Sequence, residues 1–189
     1  MDSALIVSAS EKSNVYISEM LNAASIRNIV TADTCGEARR LLIERGVDLV
    51  IINAPMRDES GENLARNIAS KRISQVILIV KSEFFEEISA ITEEYGVLTV
   101  SKPINRALFW VAIKFAKSAG VQLKSAREEN NKLKQKIEDI RVVDRAKCIL
   151  ISYLSMSERE AHRYIEKQAM DMRTTKRSVA EGILKTYEN

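Results

Sequence analysis

Asp48-Leu49-Val50-Ile51-Ile52-Asn53-Ala54-Pro55-Met56 holds an unbroken aliphatic run that ends in an amide and a proline turn. A run this short, without polar interruptions, reads as a strand buried on both faces. Working outward, comparable runs at Ala4 to Val7, Asn28 to Thr31, Val76 to Val80 and Val97 to Val100 recur about every 20 to 27 residues. The stretches between them have helical periodicity, so the first hundred residues form a five-fold β-α repeat. The expected architecture is a five-stranded parallel sheet with helices on each side. Its site lies at the carboxyl ends of the strands, near Ser8, Asn53 and Val80.

These residues resemble the response-regulator receiver family, whose sheet is flavodoxin-like. The resemblance spans roughly the first 103 to 115 residues. It rests on Asn53 followed eight positions later by Gly61, on the Pro55-Met56 turn, and on Ser101-Lys102-Pro103 after the fifth strand. The departures fall on the family's chemistry. Where receivers carry an acidic pair for magnesium, this chain reads Ser8-Ala9-Ser10, and Val80-Lys81 stands where a Thr or Ser follows the phosphoryl group. Asn53 occupies the phosphoacceptor position, and a neutral amide lacks the nucleophilic oxygen of acyl-phosphate chemistry. Neutral hydroxyls and amides are also poor ligands for magnesium. The expectation is a degenerate site of Ser8, Ala9, Asn53, Val80 and Lys102 that is not phosphorylated and holds no metal. Lys102 reads as a relic pairing with a strand-end carbonyl, the alternative being a cation for an anionic ligand. Asp58 and Glu59 read as a solvated loop. Such a pseudo-receiver is a docking or dimerisation module, open to a regulatory protein partner.

Charge divides the chain. Residues 1 to 103 hold 11 Lys and Arg against 15 Asp and Glu, a balance of −4, and residues 104 to 189 hold 18 against 11, a balance of +7. The second part has the electrostatic reason to meet a polyanion. The apolar runs are too short for a membrane span, and no signal segment is recognisable, so a soluble, cytoplasmic protein is expected. Cys35 and Cys148 have neither disulfide nor zinc spacing and read as buried thiols.

From Ile104 to Ile140 there is no proline and one glycine, Gly120, so one long helix or two stacked helices are expected, with a kink or break at Gly120. Beyond it, Leu123, Ala126, Asn130, Leu133, Ile137 and Ile140 follow the a/d spacing of a coiled coil. Asn130 at an a position favours a parallel, in-register homodimer. An amphipathic helix packed within one monomer is the alternative.

The remaining residues read as three helices. The first continues through Ala146, Ile149, Leu150 and Tyr153. The second begins at Ser157 with a capping box, Ser157-Glu158-Arg159-Glu160, and offers Ala161, Ile165, Ala169 and Met172 to a core. The third begins near Thr174 or Thr175. Met156, Met170 and Met172 read as packing residues, and the lone His162 as an exposed or core side chain without ligand spacing.

Here the chain resembles the ANTAR family of RNA-binding antitermination domains. Three blocks carry the likeness: Val143 to Leu150, Met156 to Ala161, and Ala169 to Arg173. A receiver-like front, a coiled-coil connector and this tail together match the amidase-type regulators, whose receiver is also degenerate. The expected domains are 1–115, 116–140 and 141–189. The resemblance implies a dimer that grips hairpins in nascent messenger RNA, with no cofactor. RNA is read through phosphates, 2′-hydroxyls and loop bases. Among the motif positions Lys147 and Arg173 are candidate contacts. Arg159, Arg163 and Lys167 form a further stripe at four-residue spacing, Lys176 and Arg177 lie beside it, and Tyr164 is a candidate for stacking. The bland reading makes the stripe a solvated face paired with Glu160 and Glu166, and Tyr164 a core or rim aromatic. Two other functions stay open: a protein-interaction adaptor, and a DNA-binding regulator, against which Glu158 and Glu160 argue by flanking Arg159 at the helix start. No nucleophile-base set and no glycine-rich phosphate loop favours an enzyme.

Overall fold

β3 (Leu49–Asn53) is buried at all five positions and sits at the centre of a parallel sheet ordered β2-β1-β3-β4-β5. The computed structural model describes residues 1–187, and the chain divides into two compact units, Met1–Ser125 and Ala126–Asn189, the last two residues lying outside the described ones.

In the first unit, β1 (Ser3–Val7), β2 (Asn28–Ala32), β4 (Gln75–Lys81) and β5 (Leu98–Lys102) complete the sheet. Helices α1 (Glu11–Ala23), α2 (Cys35–Glu44), α3 (Glu62–Ser70), α4 (Phe85–Thr92) and the beginning of α5 (Arg106–Leu154) alternate with them. Side chains of β3 alternate in direction. Val50 and Ile52 enter one core with Ala38 of α2, Leu64 and Ile68 of α3 and Ile88 of α4. Leu49 and Ile51 enter the other with Ile17 and Leu21 of α1 and Phe109 and Ile113 of α5. Trp110 packs half-buried against this second core, with Lys114 Nζ 5.1 Å from its ring centroid. The doubly covered parallel sheet expected from the aliphatic runs is present.

Helix starts are fixed by side-chain oxygens that accept otherwise unpaired amide N–H groups. Ser10 accepts from Ser13 N, Thr34 from Glu37 N, and Asn105 from Ala107 N and Leu108 N. At α3 the cap is Gly61, with φ of 93°. A Cβ there would stand 3.1 Å from Ile52 Cγ2 and 3.4 Å from the Ala54 side chain, so the residue must both turn left-handed and lie flat on the end of β3.

α5 runs unbroken for 49 residues, so Gly120 does not end it. The missing side chain at Gly120 makes room for Met1, whose Cε lies 2.8 Å from where a Cβ would be. A single helical glycine costs only about 1 kcal/mol against alanine, too little to break a helix of this length.

The second unit packs the last turns of α5 against α6 (Glu158–Asp171) and α7 (Lys176–Tyr187), with Ala146, Leu150, Ala161, Ile165, Ala169, Val179 and Ala180 buried. Small residues on each face let the helices approach closely. The capping box at Ser157 is formed in both directions with Glu160, and Thr175 Oγ1 accepts from Ser178 N at the start of α7. α6 ends in a Schellman turn: Thr174 N donates to Ala169 O and Arg173 N to Met170 O, with Arg173 in the left-handed region at φ of 50°. The Tyr153 and Tyr187 rings meet at a tilt of 45° with their centroids 5.5 Å apart.

Three expectations are corrected. Cys148 is exposed, because it falls on the outward stripe of α5 between the buried Ala146 and Leu150. Met172 lies at the helix end beyond the reach of the core and is 65% exposed, and Met170 projects outward at 77%, so neither packs. Met156 alone of the three borders the core.

Gly61→Ala is expected to destabilise the first unit by about 1–2 kcal/mol through left-handed strain and contact with Ile52, measured as a lowered denaturation midpoint.

Candidate nucleic-acid interface

The sheet's carboxyl edge is closed by amides and hydroxyls. Asn53, buried at the end of β3, donates from Nδ2 to Ser8 Oγ at 2.9 Å, and Ser10 N donates to the same oxygen at 3.2 Å. Asn14 Nδ2 donates to Ser8 O. Lys102 Nζ donates to Ala54 O at 2.5 Å, and burial, followed by the neighbouring Lys81, lowers its pKa. Ser82 Oγ donates to Lys102 O, while Val80 is buried and Ala9 half-buried. Asn53 thus serves as a strut between the ends of β3 and β1.

Asp58 and Glu59 are not merely solvated. Asp58 accepts from Cys35 N and Gly36 N at 3.0 and 2.9 Å, which holds its carboxyl below the usual carboxylate range. Glu59 forms a bidentate pair with Arg39. The two acids therefore fasten the β3-α3 loop to the start of α2. With Cys35 they form the one cluster of metal-ligating types among the described residues. Burial, and then the two carboxylates, push the Cys35 thiol up to about 12, so it stays protonated, and both carboxylates are already occupied. The donor set is a poor metal site.

The basic candidates of the second unit divide by what they touch. Lys147 pairs with Asp144 at 2.7 Å and Glu158 at 3.4 Å. Lys176 pairs with Glu166, which His162 also approaches at 3.2 Å. Arg177 pairs with Asp139 and Glu181, both at 2.7 Å. These three cations line a groove of about 330 Å³ between α5, α6 and α7. By contrast, Arg159, Arg163, Lys167 and Arg173 are exposed, and their side chains have no hydrogen bond or ion pair among the described residues. Of the acids nearest in sequence, Glu158 pairs with Lys147, Glu160 closes the capping box, which lowers its pKa, and Glu166 serves Lys176, while Asp171 pairs with none of them. Tyr164 is 39% exposed on the same helix. The sequence does not reveal which of these cations are paired, because the partners Asp139, Glu158 and Glu181 come from other elements or turns.

The apolar stripe of α5 has no counterpart among the described residues. Leu123 is half-buried, Ala126 and Asn130 are exposed, and Leu133, Ile137 and Ile140 are each more than half exposed.

A family model of the ANTAR domain matches residues 131–184. Residues 131–184 form an ANTAR domain. The first unit has the receiver fold. It resembles a response-regulator receiver domain from Clostridium thermocellum at TM-score 0.57 and 20% identity, over 65% of this chain and 99% of that one. It also resembles the beryllofluoride-activated NtrC4 receiver domain dimer at TM-score 0.56 and 24% identity, over 64% of this chain and 99% of that one. Over 170 residues the chain is 29% identical to the transcriptional regulatory protein PdtaR of Mycobacterium tuberculosis, covering 90% of this chain and 83% of that protein. The ANTAR domain thus takes in the capping box, the unpaired cations of α6 and the Schellman turn at Arg173. No described helix is long and apolar enough to cross a membrane.

Two outcomes are expected. At neutral pH a maleimide labels Cys148 in the folded protein and reaches Cys35 only on unfolding, as mass spectrometry of the two peptides would report. Asn53→Asp gains no labelling from acetyl phosphate and magnesium, since Ser8 and Ala9 supply no carboxylate; a phosphoprotein band on an affinity gel would contradict this.

Proposed function

We propose that this protein is a transcription antitermination regulator that binds hairpin RNA as a dimer through its ANTAR domain, while its receiver-fold unit works without phosphorylation. The observation that carries this reading is the ANTAR match over residues 131–184, within which four cations have no carboxylate partner among the described residues. An unpaired cation loses no ion pair when it meets a phosphate, whereas Lys147, Lys176 and Arg177 must first give one up. Arg159, Arg163, Lys167 and Arg173 are therefore assigned the phosphate contacts. Tyr164 is assigned a stacking role, and the paired cations hold the bundle in shape. The resemblance to a transcriptional regulatory protein over most of both chains supports the regulatory role over an enzymatic one.

Arg173 carries a further indication. A non-glycine residue in the left-handed region costs about 1–2 kcal/mol. Glycine would fill this Schellman position more cheaply, so an arginine there is explained by what its side chain does.

The dimer follows from α5. Leu133, Ile137 and Ile140 leave a helix with an apolar stripe facing water, and burying each side chain against a second copy contributes about 1.5–3 kcal/mol. Summed over two chains this is comparable with the ~4–15 kcal/mol that association costs. The seam alone is thus marginal. Asn130 sets its register, and a docked partner of the receiver-fold unit would regulate it.

The test is a salt titration of the full chain against RNA carrying paired hairpins, with duplex DNA of the same sequence as competitor. RNA-selective binding that weakens with salt and with loop mutation is expected. The triple variant Arg159→Gln/Arg163→Gln/Lys167→Gln should weaken it about tenfold or more and flatten the salt slope by about 2. Arg173→Gly should also weaken binding while raising stability by about 0.5–1 kcal/mol. Equal competition by DNA would favour a generic basic surface, and with it the adaptor reading.

A further inference from the structure

The receiver-fold unit has two exposed apolar faces of opposite charge on one layer of helices. α2, α3 and α4 all pack on the same side of the sheet, with α3 between the other two. Between α2 and α3 lies a groove of about 270 Å³ lined by Leu42, Ile43, Ile68 and Ile73. Ile43 is 85% exposed, unusual for an isoleucine unless something covers it. Arg39 and Lys71 line the same groove, with Arg40, Arg45 and Arg72 exposed on the same segments. Arg39 is spent on Glu59, but the other four cations have no ion pair among the described residues, and no acid lines the groove.

At the other end of the layer, α4 and its flanking turns expose Phe84, Ile91 and Tyr95 beside five carboxylates: Glu83, Glu86, Glu87, Glu93 and Glu94. Phe84, Glu87 and Ile91 recur at spacings of three and then four, so they share one face of the turn and helix. Among the described residues Glu83 pairs with Lys81, and Arg66 lies over the Tyr95 ring at 4.9 Å and donates to its hydroxyl, which leaves four carboxylates without an ion pair. Each face thus combines protruding aliphatic or aromatic side chains with a surplus of one sign.

We propose that the α4 face of one copy docks onto the α2-α3 groove of a second copy, a head-to-tail contact between receiver-fold units. Electrostatics selects this pairing. α4 against α4 would oppose ten carboxylates, and groove against groove would oppose unpaired arginines and lysines, so both two-fold arrangements are repelled while the mixed one attracts. The two faces of a single copy cannot meet, because α3 is packed between them. A contact between different faces leaves one free face of each kind at the ends, so it propagates into a ring or an open row. It is independent of the coiled-coil seam and of the RNA reading, since it uses neither α5 nor the ANTAR domain. A row of receiver-fold units would raise the effective concentration of the RNA-binding units tethered to them.

The experiment is analytical ultracentrifugation of the full chain across the micromolar range at low and high salt. Wild type is expected to exceed its basal mass as concentration rises and to return to it in high salt. The basic-face variant Arg40→Glu/Lys71→Glu and the acidic-face variant Glu87→Lys/Glu94→Lys should each stay basal at neither the cost of the other nor of the seam: in both, one complementary pair of faces is lost. The α4 face is native in the first variant and the groove is native in the second, so an equimolar mixture of the two restores one complementary pairing and should exceed the basal mass although neither variant does so alone. A wild type of constant mass, or a mixture that stays basal while both variants retain the wild-type circular dichroism, overturns the proposal. A geometric check uses chains carrying Cys148→Ser with either Ile43→Cys or Ile91→Cys. A short bismaleimide should link them efficiently only when the two are mixed, and equal linking within either chain alone would point to a two-fold contact and refute the head-to-tail one.

Discussion

Burial of β3 on both faces is the constraint from which the first unit follows. A strand with no exposed residue must be covered twice, and a parallel neighbour on each side can be reached only by crossover helices, so α1 and α5 occupy one side and α2 to α4 the other. The same constraint aims Asn53 at the carboxyl edge, where its amide finds Ser8. It also leaves the final strand running directly into α5, so the sheet and the long helix share the core around Phe109 and Ile113.

At that edge the strand ends are joined by neutral groups in direct contact. A carboxylate at position 53 would repel a neighbouring acid unless a cation lay between them. An amide and a serine hydroxyl join directly, and Lys102 closes on a carbonyl. The carboxylates that remain nearby, Asp58 and Glu59, bind backbone amides and an arginine and so stiffen the loop. The loop is thereby held by contacts that need no phosphate.

Much of this was readable from the residues. The five aliphatic runs located the strands because a doubly buried strand tolerates few polar residues, and Ser157-Glu158-Arg159-Glu160 located α6 because a capping box is a local, reciprocal interaction. What escaped was set by geometry between elements. Gly120 looked like a break because sequence does not reveal that Met1 packs beside it. Cys148 reads as buried because a thiol without disulfide or zinc spacing is usually a core residue, although a helix turns by about 100° per residue and alternates its faces. The division of the basic residues into paired and unpaired was also invisible, since Arg177 finds Asp139 across 38 positions of chain.

The position of the single tryptophan has a practical consequence. Trp110 lies in the first unit, whereas the second unit's aromatic contact is the pair Tyr153 and Tyr187. Indole fluorescence therefore reports on the sheet-containing unit alone, while far-ultraviolet dichroism weighs the helices of both. If the units melt separately, the two signals give different midpoints, and the interval between them measures how strongly the long helix couples one unit to the other.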